Sequence, residues 1–170
     1  GKDIGPLNSP YYLVPYHRDR LVNAAKHFQW EKALLFLTQD LDHLVHFFDS
    51  FIPDRTKTLR LRIVIDCDGA CNVEANPAPQ IDPLNFLPFQ APSQPSIWRV
   101  YVDSQFLVPS AFTTHKTTAR EGYTAARIRA GILSPQASEE VLLVNPDGQV
   151  MEGSITTPYF RRRRSCSHTS

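Results

Sequence analysis

The sequence lacks several features that would assign it to a common functional class. Its 170 residues contain 18 Lys and Arg against 17 Asp and Glu, so it has no net basic excess of the kind that nucleic-acid binders carry. No apolar run approaches the roughly 18 residues that span a bilayer, and the first residues show no basic-then-apolar signal pattern. We therefore expect a soluble, cytoplasmic protein that binds neither nucleic acid nor membrane.

Motifs for phosphate, metal and disulfide chemistry are also scarce. The sequence contains no GxxxxGK loop and no GxSxG elbow, which argues against nucleotide hydrolysis and serine-hydrolase chemistry. The three cysteines, Cys67, Cys71 and Cys166, are an odd number and are expected to stay reduced. The Cys-x-x-x-Cys spacing of the first two has no second ligand pair, so we predict a strand and turn there rather than a metal site.

The length suits one domain or two small ones, and hydrophobic periodicity predicts both helices and strands in the first half. A helix is predicted over residues 17–30. A second should follow Thr38, its expected N-cap, and stop before Pro53. Alternating polar and apolar residues predict a strand over 58–66, with Asp68-Gly69 as a hairpin turn into residues 70–74.

The second half predicts further strands around one Ala- and Arg-rich helix. Residues 76–95 are rich in Pro, Asn and Gln and indicate an irregular excursion. A hairpin is expected around the turn at Pro146-Asp147-Gly148, and Gly131 should close the helix as its C-cap. The predicted strands and helix cover residues 96–103, 116–130, 140–145 and 149–160. The fold class is therefore predicted as α+β.

Lys116 and Glu152 are the candidate pair of chemically active residues in the chain. A lysine can bond covalently to an aldehyde cofactor only when its amine is neutral, which burial or nearby positive charge favours. A carboxylate beside the ring nitrogen of pyridoxal phosphate keeps that nitrogen protonated, so the ring can stabilise a carbanion. The alternative is that Lys116 is a solvated lysine and Glu152 an exposed strand carboxylate paired with an arginine.

Two strings carry a family resemblance: HKTTAREGYTAAR over residues 115–127 and EVLLVNPDGQVMEGSITTPYF over 140–160. They resemble the two central motifs of the class IV aminotransferases, the fold-type IV pyridoxal-phosphate enzymes. The closer likeness is to aminodeoxychorismate lyases, fungal ones in particular, partly because Arg120 stands where the branched-chain aminotransferases tend to have Asn. The string YLVPYHRDRLVNAAKHF over 12–28 resembles the segment in which a histidine and an arginine open a helix in the family.

The resemblance implies a D-amino acid aminotransferase-like fold with two domains. A small α+β domain would occupy residues 1–104, and a linker residues 105–114. Residues 115–170 would begin a larger, β-rich domain that binds pyridoxal phosphate. Because family members continue beyond both ends of the matching segments, we expect this chain to be truncated. The arginines at 161–164 could form a nucleic-acid or import patch, but are expected to be solvated charge.

Each candidate site residue takes its role from the same resemblance. Lys116 would be the Schiff-base lysine and proton shuttle, and Glu152 the partner of the pyridine nitrogen. Arg20 would bind the cofactor phosphate, where the start of a helix would add free N–H groups. Ser154 and Thr156 would line the cofactor pocket.

One cofactor contact is left open by the sequence. Branched-chain enzymes place a tyrosine five residues after the lysine, where it contacts the cofactor hydroxyl. That position is Glu121 in this chain. Whether Tyr123 supplies the contact instead is not decided by the sequence.

The implied reaction converts 4-amino-4-deoxychorismate to 4-aminobenzoate and pyruvate, a step of folate synthesis. Family membership would also imply a homodimer. Two alternatives remain at this stage. The chain could belong to a transaminase of branched-chain or D-amino acids, or it could be a truncated fragment or pseudoenzyme without activity.

Overall fold

A computed structural model describes residues 10–78, 97–134 and 137–160 of the chain. The chain divides into two compact units, Gly1–Pro92 and Ser93–Ser170. Described elements of the first unit are α1 (Val14–His27), α2 (Glu31–Leu37), α3 (Leu41–Asp49), β1 (Leu59–Ile65) and β2 (Cys71–Pro77). Those of the second are β3 (Arg99–Phe106), α4 (Ala111–Thr114), α5 (Glu121–Arg129), β4 (Glu139–Val144) and β5 (Val150–Gly153). This mixture of helices and small sheets agrees with the predicted α+β class.

Helix α1 begins at Val14, earlier than the predicted start at residue 17. Pro15 lies in its first turn, where the fixed φ favours a helix start and the missing N–H costs nothing. The chain leaves the helix at Gln29, whose φ of 57° is left-handed, and α2 begins directly afterwards. No glycine or proline marks this break, so α2 was not predicted from the sequence.

Helix α3 is capped by Asp40. The N-cap predicted from the sequence, Thr38, does not cap it. The Asp40 side chain accepts a hydrogen bond from the His43 backbone N–H at 2.7 Å. The Thr38 hydroxyl instead donates to the Leu34 carbonyl at 2.7 Å, at the C-terminus of α2. The carboxylate directly before the helix satisfies a free N–H group of the first turn that Thr38 is too far back to reach.

The first sheet is the predicted antiparallel hairpin of β1 and β2. Arg60 and Arg62 are exposed, as their alternation with apolar residues predicted. Arg62 lies opposite Glu74, and the two form an ion pair at 2.6 Å. Gly69 has a φ of 79° in the connecting turn, a conformation that favours glycine.

The second sheet has the strand order β3-β4-β5. Strand β3 pairs with β4 in parallel, and β4 pairs with β5 as the predicted antiparallel hairpin. Gly148 in its turn has a φ of 76°. Strand β5 ends at Gly153, well before the predicted end at residue 160, because the next residues turn toward the side chain of Glu140.

The unit division differs from the predicted domain boundary after residue 104. Strand β3, which that boundary assigned mainly to the first domain, hydrogen-bonds along β4 in the second unit. Helix α4 occupies part of the predicted linker at 105–114. Helix α5 begins at Glu121 and not at Lys116, and Gly131, with a φ of 74°, follows its C-terminus as predicted.

The core of the second unit lies between α5 and the sheet. Tyr123 and Ala126 of α5 pack with Val141 and Leu143 of β4. This packing places the first turn of α5 over the strands that carry the candidate site. No helix in the described ranges is long and apolar enough to cross a membrane. The residues the structure describes contain no group of side chains able to hold a metal ion.

Three features named from the sequence lie outside the described residues. They are most of the excursion at 76–95, Cys166 and the arginines at 161–164.

Candidate functional site

Glu152 lies near the end of β5, half-buried and opposite Leu143 of β4. The Tyr123 hydroxyl on α5 donates a hydrogen bond to Glu152 Oε1. Burial raises the pKa of Tyr123, and the hydrogen bond and the negative charge of Glu152 raise it further, to about 12. Tyr123 is therefore a neutral hydrogen-bond donor at physiological pH.

Three side chains on one side of α5 reach the segment at residues 152–154. Arg120 occupies the N-cap position of α5, and its guanidinium carbon lies 3.9 Å from the centroid of the Tyr123 ring. Its Nη2 donates to the Ser154 carbonyl. Arg127 Nη1 donates to the Ser154 hydroxyl oxygen at 3.0 Å. Positions 120, 123 and 127 share one helix face, so α5 holds the end of β5 at several points.

Glu140 of β4 holds the turn that follows β5. The residue is only 3% exposed. Its Oε1 accepts from the Ser154 backbone N–H at 3.0 Å, from the Ser154 hydroxyl and from the Val141 N–H at 2.8 Å. Its Oε2 accepts from the N–H groups of Ile155 and Thr156, at 3.2 and 2.8 Å, and from the Thr156 hydroxyl at 2.6 Å. One buried carboxylate therefore fixes three consecutive residues.

The electrostatics of Glu140 follow from these contacts. Burial alone raises the pKa of its carboxyl, but the hydrogen bonds from Ser154, Thr156 and the backbone outweigh burial and lower the pKa to about 2. Arg127 Nη1 lies 3.8 Å from Glu140 Oε1, so a positive charge accompanies the buried carboxylate. Glu140 is ionised at physiological pH and acts as a fixed acceptor.

Ser154 and Thr156, the two predicted pocket residues, are placed differently. Ser154 is fully buried, and its hydroxyl, N–H and carbonyl are all engaged within the second unit. Thr156 is exposed, although its hydroxyl donates to Glu140. Of these two residues, only Thr156 therefore presents atoms at the surface of this turn.

Lys116 lies in the loop between α4 and α5, exposed and four residues before Arg120. The chain thus runs from Lys116 directly into the helix that holds Glu152. Arg20 lies in α1 of the first unit, with its Nη2 3.4 Å from His17 Nδ1. Because α1 begins at Val14, Arg20 lies beyond the first turn. The free N–H groups that the sequence analysis associated with it are therefore not beside it.

Two residues of this arrangement were missed by the sequence analysis as site residues. Glu140 was taken only as the first residue of an apolar strand, and Arg127 only as part of a helix. The available signal for Glu140 was its position as a charged residue directly before the apolar run VLLV. A carboxylate next to a buried strand needs hydrogen-bond partners. Their contacts join residues distant in sequence, and spacing alone does not specify such pairs.

Comparison with known proteins agrees with the motifs on which this site was built. Residues 7–169 match the sequence profile of the family described as amino-transferase class IV. The chain belongs to this family. Class IV aminotransferases are pyridoxal-phosphate-dependent enzymes of fold type IV.

The chain is also similar to a curated fungal protein. It is 44% identical over 69 residues to the aminodeoxychorismate lyase of Saccharomyces cerevisiae. The matching part is 35% of this chain and 18% of the yeast protein, so the chain matches about a fifth of the length of that relative.

Proposed function

We propose that this chain contributes the catalytic lysine and the ring-nitrogen partner of a pyridoxal-phosphate-dependent lyase. The reaction would convert 4-amino-4-deoxychorismate to 4-aminobenzoate and pyruvate. The observation that supports it best is the link from Lys116 into α5, and from α5 through Tyr123 to the Glu152 carboxylate. The two residues with proposed chemistry are thus joined by one short helix.

The residues present have the chemistry that pyridoxal phosphate requires. Lys116 is an exposed residue whose side chain carries the primary amine that an aldehyde carbon requires. Glu152 offers a carboxylate of which one oxygen, Oε1, receives the Tyr123 hydroxyl. Among the described residues Oε2 receives no such donor, so it is the oxygen that can accept from a ring N–H. Thr156 is proposed to line the pocket, Ser154 to support it from within, and Arg20 to bind the phosphate.

Each side chain then has a defined task. Bound pyridoxal phosphate supplies an electron sink for the carbon that carries the substrate amino group. The Lys116 amine removes the proton from that carbon and returns a proton later in the reaction. The Glu152 carboxylate keeps the proton on the ring nitrogen by accepting its hydrogen bond. The fixed turn at 154–156 keeps Glu152 at a constant position relative to α5.

The choice of a lyase over a transaminase is supported by the similarity to the yeast enzyme and by Arg120. The same family likeness supports a cytoplasmic homodimer acting in folate synthesis. Product analysis with the full chain separates the two reactions. A lyase releases pyruvate and 4-aminobenzoate from one substrate, whereas a transaminase consumes a 2-oxo acid together with an amino acid.

Covalent labelling tests the assignment of Lys116 directly. The full chain is incubated with pyridoxal phosphate, reduced with borohydride and mapped by peptide mass spectrometry. We expect the adduct on Lys116, together with a visible absorbance band that the Lys116→Ala variant lacks. Lys57→Ala is the matched control, because Lys57 is an exposed lysine of the first unit paired with Asp54 at 3.2 Å. Equal labelling of all lysines, or no labelling, would refute the proposed function.

A further inference from the structure

We propose that Tyr123 is a positioning residue for Glu152, holding one carboxylate oxygen so that the other faces the ring nitrogen of the cofactor. The inference rests on the proposed function, since it gives Glu152 the same partner. It assigns Tyr123 a different task from the cofactor-hydroxyl contact left open by the sequence.

The geometry of the donor supports this assignment. The Tyr123 hydroxyl donates to Glu152 Oε1 and comes from a residue that is only 6% exposed. Its ring packs in the core of the second unit, with Ala126 on the same helix and Val141 on β4. A buried, packed ring gives the hydroxyl one position, and a half-buried glutamate that accepts from it loses rotational freedom.

Arg120 also contacts Tyr123. Its guanidinium lies over the Tyr123 ring and its Nη2 donates to the Ser154 carbonyl, two residues beyond Glu152. One side chain therefore contacts both the tyrosine and the strand end that carries the glutamate. Helix α5 and β5 are joined at these two points, so Glu152 is held through its side chain and its backbone segment.

Tyr123→Phe is the primary test, because it removes the hydroxyl and keeps the ring. The dissociation constant of pyridoxal phosphate is measured with the full chain, and the visible absorbance of the bound cofactor is followed against pH. We expect about tenfold weaker binding, because an unheld Glu152 must be ordered when the ring nitrogen binds. We also expect an absorbance that changes with pH over a range where the wild type is constant.

The chain supplies a matched control in Tyr101→Phe. The Tyr101 hydroxyl donates to Glu139 Oε1 at 3.1 Å, so this variant also removes a tyrosine-to-glutamate hydrogen bond from the second unit. It leaves Glu152 untouched and should change cofactor binding less than about twofold. Both variants can lose thermal stability in the same way. A change of the cofactor spectrum in Tyr123→Phe alone would then show that Tyr123 positions Glu152 and does not only stabilise the fold.

A double-mutant cycle tests whether Tyr123 acts through Glu152. In the Glu152→Ala background, which removes the acceptor, Tyr123→Phe should have almost no further effect on the dissociation constant. Additive losses would overturn the proposal, as would binding by Tyr123→Phe equal to that of the wild type. If Tyr123→Phe folds poorly, Arg120→Met keeps every Tyr123 atom and should weaken binding about threefold.

The contact can also be observed without cofactor. The protein contains six tyrosines, which can be labelled with ¹³C at Cζ, and Tyr123→Phe identifies the resonance of Tyr123. Glu152→Gln should shift this resonance, while Glu139→Gln should shift that of Tyr101 instead. An unchanged Tyr123 resonance would overturn the positioning role. Failure of the wild type to label at Lys116 would instead refute the proposed function, and the inference with it.

Discussion

Glu140 and Thr156 are joined twice, because the backbone N–H and the hydroxyl of Thr156 both donate to Glu140 Oε2, at 2.8 and 2.6 Å. The other carboxylate oxygen holds Ser154 by its N–H and hydroxyl. The turn after Glu152 is therefore shaped by a carboxylate from a neighbouring strand together with Gly153, where a Cβ would lie only 2.7 Å from the Thr156 carbonyl oxygen and 2.9 Å from Glu140 Oε2.

Glu140→Gln is expected to destabilise the second unit by about 2–4 kcal/mol. The amide of glutamine replaces an acceptor oxygen by a donor that faces N–H and hydroxyl groups, and it leaves Arg127 beside a neutral partner. Urea unfolding monitored by the fluorescence of Trp98, in a Trp30→Phe background, reports on this unit.

The control for this experiment is Glu139→Gln. Glu139 is the neighbouring residue on β4, and its more exposed side chain accepts from Tyr101. Its substitution should cost less than about 1 kcal/mol. Equal costs for the two variants would show that Glu140 does not hold the turn as its contacts indicate.

The contribution of Glu140 to the free energy of unfolding should disappear in acid. Its pKa is lowered from 4.5 to about 2 in the folded chain. As pH falls below about 4.5 the unfolded state binds a proton that the folded state does not, so unfolding becomes easier by up to about 1.4 kcal/mol per pH unit. Above that pH the contribution is complete.

The pH prediction is checked by comparing wild type with Glu140→Gln. The difference between their free energies of unfolding should be largest above about pH 5 and should shrink steadily toward pH 3. A difference that stays constant over this range would contradict a lowered pKa for Glu140.

Asp103→Asn should cost about 2 kcal/mol of stability. Arg129 of α5 binds Asp103 of β3 through two hydrogen bonds, at 2.9 and 2.6 Å, and the Asp103 side chain is 1% exposed. Burial and two-point geometry make such a pair stronger than a surface pair. Circular dichroism during thermal unfolding measures the loss.

The exposed pair Arg62 and Glu74 gives the comparison for Asp103→Asn. Both of its side chains are about half exposed, so Glu74→Gln should cost less than about 0.5 kcal/mol. If Asp103→Asn and Glu74→Gln lower the free energy of unfolding by the same amount, the burial of Asp103 does not strengthen its ion pair with Arg129.

Local patterns in the sequence predicted much of the fold, and their failures have physical causes. The hairpin of β1 and β2 was predictable because alternation and Asp68-Gly69 act over a few residues. The break at Gln29 was not, because a left-handed glutamine is held there without a glycine or proline signal. The pairing of β3 with β4 was also missed, since parallel partners are distant in sequence.

The candidate site was predictable only in part for a similar reason. The motifs around Lys116 and Glu152 identified the family, which the match over residues 7–169 confirms. The supporting contacts of Glu140 and Arg127 depend on which side chains the fold brings together. The spacing of residues along the sequence does not specify these contacts, so they could not be predicted without the structure.

The parallel pairing of β3 with β4 also determines the order in which the second sheet can assemble. Strands β4 and β5 are joined by a short turn at Gly148, so their pairing closes a small loop. Strand β3 can join only after the chain through α4 and α5 has crossed the sheet, which closes a much longer loop at a higher entropic cost. We therefore expect the turn at residues 154–156 to reach Glu140 early in folding, before β3 completes the sheet.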